Sequence, residues 1–155
     1  MKKFISLVLA LVMALSLTTV AWGADAADLA GLKANLTAGE VKLTADININ
    51  VTDGTQDRLV IAQDLVVDLN GHKLFSADAA DDIFYVQDGA SLTVKNGTLD
   101  SARLGIYSNG SGTDANVIKL DNVKIYSDYF GVYHNGNNYG ADVTIENSTI
   151  TDNGG

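Results

Sequence analysis

The sequence predicts an all-β chain built as a β-solenoid of four to five coils, with one short helix covering its first coil. Three observations predict it. Residues 67–74, 92–99, 118–125 and 143–150 superpose without gaps, their starts 25, 26 and 25 residues apart. In each, aliphatics fill relative positions 1, 3 and 8 while the residues between are polar or small, the alternation of a half-buried strand. A second set, residues 59–61, 84–86, 106–108 and 132–134, recurs inside the same period at spacings of 25, 22 and 26.

Each unit therefore carries two short strands and a third around Leu74, Leu99, Ile125 or Ile150, separated by Gly, Asn, Asp and Ser turns. No helix fits inside a unit. A strand-only unit of this length cannot enclose a core alone, so neighbouring copies must stack and bury a continuous aliphatic column. About fifteen inward aliphatics, each contributing roughly 1.5–3 kcal/mol on full burial, supply that column. Extending the array back by 26 residues reaches Val41-Lys42-Leu43, an imperfect opening copy.

Composition narrows the function classes. A chain of 155 residues allows one domain. With no Cys, disulfides, thiolate catalysis and Cys-based metal sites are excluded. Ten Lys and Arg against nineteen Asp and Glu give a net charge of −9, which excludes a basic-patch binder of nucleic acid or of anionic membrane. Turns are numerous, with fifteen Gly and no Pro.

Met1-Lys2-Lys3 followed by an apolar run from Phe4 to Val20 reads as a secretory signal within residues 1–26. Small residues allow a cut after Gly23 or after Ala26, and an uncleaved membrane anchor is the alternative. Cleavage leaves a secreted or cell-surface chain with no membrane attachment, made more acidic by the loss of Lys2 and Lys3. Residues 27–40 form the capping segment: Leu29, Leu32 and Leu36 at helical spacing, Asp28 as N-cap and Gly39 at the end predict a helix across 28–38. Residues 41–155 form the solenoid. It stops at Thr151-Asp152-Asn153-Gly154-Gly155, in mid-unit, which predicts a fragment or a module with a missing continuation, and an open strand edge available for pairing.

The signature aliphatic-x-aliphatic-x-Asn-x-x-aliphatic, as in Leu92, Val94, Asn96 and Leu99, resembles the right-handed parallel β-helix of the pectate-lyase-like superfamily over residues 41–155. The second copy departs from it: Asn70 lies one place early and Gly71 fills the turn slot. The resemblance implies a right-handed parallel coil. It implies no single activity, because that fold carries lyases, hydrolases, adhesins and spacers.

Stacking sets equivalent residues about 4.8 Å apart on successive coils, so the outward rows are the candidate sites. Tyr85, Tyr107 and Tyr133, with Val60 before them, form an aromatic strip on which sugar could stack; the alternative is ring stacking that stabilises the coil itself. A second row is aligned as Thr44, Asn70, Lys95, Asp121 and Glu146. Its Asp121–Glu146 pair is a candidate seat for Ca²⁺ or for acid–base work on a glycan, against a plain solvated charge ladder. The row between is aligned as Lys42, Asp68, Thr93, Lys119 and Thr144. Asn96, Asn122 and Asn147 at one turn, and Asn109 with Asn135 at another, read as structural ladders that tolerate left-handed backbone. His72 and His134 fall in different rows and make no metal pair, and no Ser-His-Asp set can be assembled from the aligned rows.

Lyases of the resembled fold combine a Ca²⁺ carboxylate cluster with an Arg or Lys base; the only arginines here, Arg58 and Arg103, lie outside the Asp121/Glu146 row. The residues therefore read against catalysis. They favour a non-catalytic extracellular module of a bacterial surface or secreted protein, a scaffold or an adhesive segment contacting extracellular polysaccharide or cell-surface glycan. The alternative is a polysaccharide lyase or glycoside hydrolase acting on acidic polysaccharide. No cofactor is expected, with Ca²⁺ as the one alternative.

Overall fold

Parallel pairing of equivalent residues, coil on coil, generates the architecture in the computed structural model, which describes residues 23–50, 58–77, 82–110, 114–136 and 140–152. Residues 1–22, where most of the expected secretory signal falls, and the last three residues lie outside the described ones. The chain runs β1 (Ala24–Ala26), α1 (Leu29–Ala34), β2 (Glu40–Leu43), β3 (Ile47–Asn48), β4 (Leu59–Ile61), β5 (Leu65–Asp68) and β6 (Lys73–Ser76). It continues through β7 (Asp82–Val86), β8 (Ser91–Ser101), β9 (Leu104–Gly110), β10 (Asn116–Ser127), β11 (Phe130–Gly136), β12 (Ala141–Glu146) and β13 (Thr149–Asp152). One sheet stacks β1, β2, β5, β8, β10 and β12, joined by β3, β6 and β13; the other stacks β4, β7, β9 and β11. Every pairing is parallel, and the result is a β-solenoid of about four turns.

The inward columns follow from strand alternation. Val41, Val67, Val94 and Leu120 stand in register, as do Leu74, Leu99 and Ile125, and all are buried. From the second sheet Leu59, Phe84 and Ile106 complete the core. The sheets approach closely at Gly105 and Gly131, where a Cβ on Gly105 would lie 2.8 Å from Ile125 Cγ2 and one on Gly131 would collide with Ile150.

Two of the three strands in each unit merge in the middle coils, where β8 and β10 bend without breaking. The bend falls at Asn96 and Asn122, with φ of 59° and 56°; Asn70 and Asn147 both take 51°. Asparagine tolerates this left-handed conformation because its amide bonds locally. Here each amide donates one coil back: Asn70 to the Leu43 carbonyl (3.0 Å), Asn96 to Asp68 (3.1 Å), Asn122 to Asn96 (3.2 Å) and Asn147 to Asp121 (3.1 Å). The expected ladder is present, and Asn70 belongs to it.

One register differs from the gap-free alignment. Leu65, not Val67, stands opposite Leu92, whereas Leu74 stands opposite Leu99 as aligned. The two additional residues are absorbed in the turn between β5 and β6. A slip of two keeps every side chain on its own face, so the hydrophobic pattern cannot detect it. The outward rows change accordingly: Asp25, Lys42, Asp68, Lys95, Asp121 and Glu146 form one row, replacing the one that contained Thr44 and Asn70. Glu40, Val66, Thr93, Lys119 and Thr144 form the other.

At the amino end, Asp28 caps α1 by accepting from the Gly31 amide at 2.7 Å, and Leu32 is fully buried. Leu29 and Leu36 pack on the core from its edge. The helix is shorter than expected: Asn35 ends it, donating from its backbone to the Leu32 carbonyl, and Gly39 makes a separate turn at φ 81°. Ahead of it, β1 pairs with β2 and buries Ala26, so a cut after Gly23 retains this strand and a cut after Ala26 removes it.

A chain beginning at Ala27 should be less stable to urea than one beginning at Ala24 by roughly 1–3 kcal/mol, because the aliphatic column of β2 loses its cover. Equilibrium denaturation of the two purified forms checks this. Asn122→Ala should cost about 1–2 kcal/mol, since alanine pays the left-handed penalty without any ladder bond, and Asn122→Gly should recover part of that loss in the same assay.

Candidate functional site

Strand alternation in the second sheet turns Val60, Tyr85, Tyr107 and Tyr133 outward, and pairing places them in one row, as the sequence predicts. The rings stack on one another. Tyr85 and Tyr107 have centroids 5.3 Å apart at 15° between planes, Tyr107 and Tyr133 are 5.7 Å apart at 16°, and Phe130 stacks on Tyr133 at 5.5 Å and 22°. Arg58 lies 3.8 Å above the Tyr85 ring, and Asn135 donates to the Tyr107 hydroxyl at 2.9 Å.

This geometry decides which surfaces a ligand could use. The faces of Tyr85 and Tyr107 are turned to neighbouring groups, so their outward parts are ring edges and hydroxyls. Apolar aromatic surface is concentrated instead at the carboxyl end of the row, where Tyr129 is 55%, Phe130 41% and Tyr133 37% exposed. These three, with Arg103 and Leu104, line an open cavity of about 370 Å³. Tyr129 and Phe130 were missed by row counting because they lie in the connection to β11 and at its first residue.

The two arginines, distant in sequence, converge on Asp82, which is only 2% exposed. Arg103 Nη1 lies 3.0 Å from Asp82 Oδ1, and Arg58 Nη1 lies 3.9 Å from Oδ2. Two partly exposed guanidinium groups thereby neutralise a carboxylate at the first position of β7, and Arg58 also covers the tyrosine stack. Both arginines are thus engaged in holding the coil.

In the corrected acidic row, Lys95 Nζ lies 2.9 Å from Glu40 Oε1 and 3.8 Å from Asp68 Oδ2. The hydrogen bond to Glu40 chiefly raises its pKa above the usual ammonium range. Asp121 and Glu146 are adjacent rungs, both exposed, and Asp121 accepts from Asn147. The pair offers at most four carboxylate oxygens, fewer than the six or more that Ca²⁺ takes. Among the described residues no group of three or more His, Asp or Glu is gathered for a metal.

The histidines do different work. His72 Nδ1 lies 3.3 Å from Asp46, whose carboxylate also accepts from the Lys73 amide at 2.9 Å; that amide bond is the main cause of its lowered pKa. His134 ends the inward column Ile61, Val86, Ser108, and its Nδ1 lies 3.0 Å from Ser108 Oγ. Asn116 donates to the same Oγ at 2.8 Å and to the Asn109 carbonyl at 3.0 Å. The aligned rows set His134 apart from His72 and gave no such contact. Its signal was the matching position of Ser108 and His134 in consecutive copies. Ser108 and Asn116 are fully buried, so this is a polar plug in the core and offers no accessible nucleophile.

Asp82→Asn should destabilise the fold toward the lower end of the roughly 3–5 kcal/mol of a broken buried pair, because both arginines retain some solvent; urea denaturation measures it. The pH limbs follow from the two shifted groups. Lys95, with its pKa raised, contributes stability that is complete below its unfolded pKa and is lost as pH rises through the higher folded value. Asp46, with its pKa lowered, contributes above its unfolded pKa and loses that contribution as pH falls through the lower folded value. Lys95→Met should flatten the alkaline limb and Asp46→Asn the acid limb of thermal stability against pH.

No family model matches the chain, and no curated protein and no solved structure matches it either.

Proposed function

We propose that this chain is a non-catalytic extracellular β-helix module of a bacterial surface or secreted protein, a rigid scaffold that holds an aromatic end patch against a neutral glycan. The observation that carries the reading is the cluster of Tyr129, Phe130 and Tyr133 around an open cavity, fixed by the stack behind it. Exposed rings present apolar surface for the apolar face of a pyranose, and Tyr hydroxyls reach its hydroxyl groups. Charge selects the sugar class: a chain of net charge −9 repels uronate polymers, so neutral polysaccharide fits better than acidic. Export rests on the basic start and apolar run at residues 1–20, and the pectate-lyase-like kinship rests on the repeat signature.

Binding of the purified mature chain to neutral and acidic polysaccharides, with and without Ca²⁺, tests the reading. Retention on a neutral polymer without Ca²⁺ is expected, weakened about tenfold or more by Phe130→Ala or Tyr129→Ala. Tyr107→Ala should lower stability while leaving the affinity of the folded fraction unchanged. Ca²⁺-dependent release of unsaturated, ultraviolet-absorbing products from an acidic polymer, lost in an Asp121→Asn/Glu146→Gln double variant, would replace this reading by the lyase.

A further inference from the structure

The first strand of the fold lies between the two bonds at which the leader can be cut, and it makes them unequal. β1 consists of Ala24–Ala26 in parallel register with β2, Ala24 opposite Val41, Asp25 opposite Lys42 and Ala26 opposite Leu43. Ala26 is 1% exposed, and its carbonyl oxygen accepts from the Thr44 amide at 2.9 Å and from Thr44 Oγ1 at 3.3 Å. That carbonyl belongs to the Ala26–Ala27 peptide bond. A protease needs an extended, accessible substrate, so this bond is closed to it once β1 has paired. β1, α1 and β2 are consecutive elements, and their pairing closes over a short stretch of chain without waiting for later coils. Gly23 stands one residue ahead of the paired segment, and the Gly23–Ala24 bond precedes it.

The amino end also has a place for the charge that cutting creates. A Cβ on Gly23 would lie 2.6 Å from Glu40 Cγ, so the backbone here runs against the Glu40 side chain. The Ala24 nitrogen is two bonds from that Cα. An ammonium formed on it stands beside a carboxylate whose Oε1 holds Lys95 at 2.9 Å and which has acceptor capacity for a second donor.

We infer that the chain is processed by a signal peptidase at the Gly23–Ala24 bond, and that the mature protein begins at Ala24 with its α-ammonium held by Glu40. The inference rests on the export reading above. Water adds across the peptide bond: Gly23 leaves as the carboxylate end of the leader, Ala24 keeps the amine, and no other reactant is consumed. Ala21 and Gly23 supply the small residues that such a cut needs. Ala24-Asp25-Ala26 meets the same rule, and it is the pairing of β1 that decides between the two bonds.

Intact mass and amino-terminal sequencing of residues 1–155 expressed in a secreting bacterial host test the site. A secreted form beginning at Ala24 is expected. The same cut should persist in Ala24→Asn, which spoils the later motif and keeps Ala21 and Gly23. A secreted wild-type form beginning at Ala27 would overturn the inference and leave export standing, whereas a chain that keeps Met1 and stays with the cells would overturn both. Acylation of the α-amine of the purified mature protein at pH 7, read on its amino-terminal peptide, should run about three- to tenfold faster in Glu40→Gln than in the parent, because the carboxylate that favours the protonated amine is gone. Equal rates would overturn the contact with Glu40.

Discussion

A parallel, in-register stack obliges each side chain to live beside its own counterpart one coil away, and nearly every feature of this molecule answers to that constraint. Residue types that satisfy themselves can repeat indefinitely. Aliphatics pack into the column, each ladder asparagine bonds to the coil before it, and tyrosines stack ring on ring. Charges cannot repeat without repulsion, so the outward row alternates in sign until its last two rungs.

The same constraint explains how much could be read in advance. Period, inward positions, the tyrosine row and the asparagine turn were legible because each is a repeated identity, visible as self-similarity along the chain. Asp68 and Asn70 were misassigned because a two-residue insertion preserves inside and outside. The clamp on Asp82 was illegible for another reason. Arg58 and Arg103 reach it from neighbouring coils at unequal separations, and neither belongs to any repeated set. Ser108 and His134 repeat a position but not a chemistry, so their contact needed the buried geometry.

The tyrosine row shows how stacking changes the meaning of a surface. Three aromatic residues in sequence register suggest a platform, but rings at 5.3 and 5.7 Å face along the solenoid axis and expose edges. Recognition then moves from the middle of the row to its end, where Phe130 and Tyr129 add surface that no counterpart covers. The interior rings act as a spine that fixes that end in place.

The asparagine ladder also gives the solenoid a direction in time. Each bend reaches back to an acceptor supplied by the coil before it, so the amide bond of that bend can form as soon as the bend is made. A polypeptide is synthesised amino end first, and here the helix-covered coil comes first. Growth can therefore proceed as vectorial templating, each finished turn serving as the mould for the next, with the nascent tip as the single sticky surface at any moment.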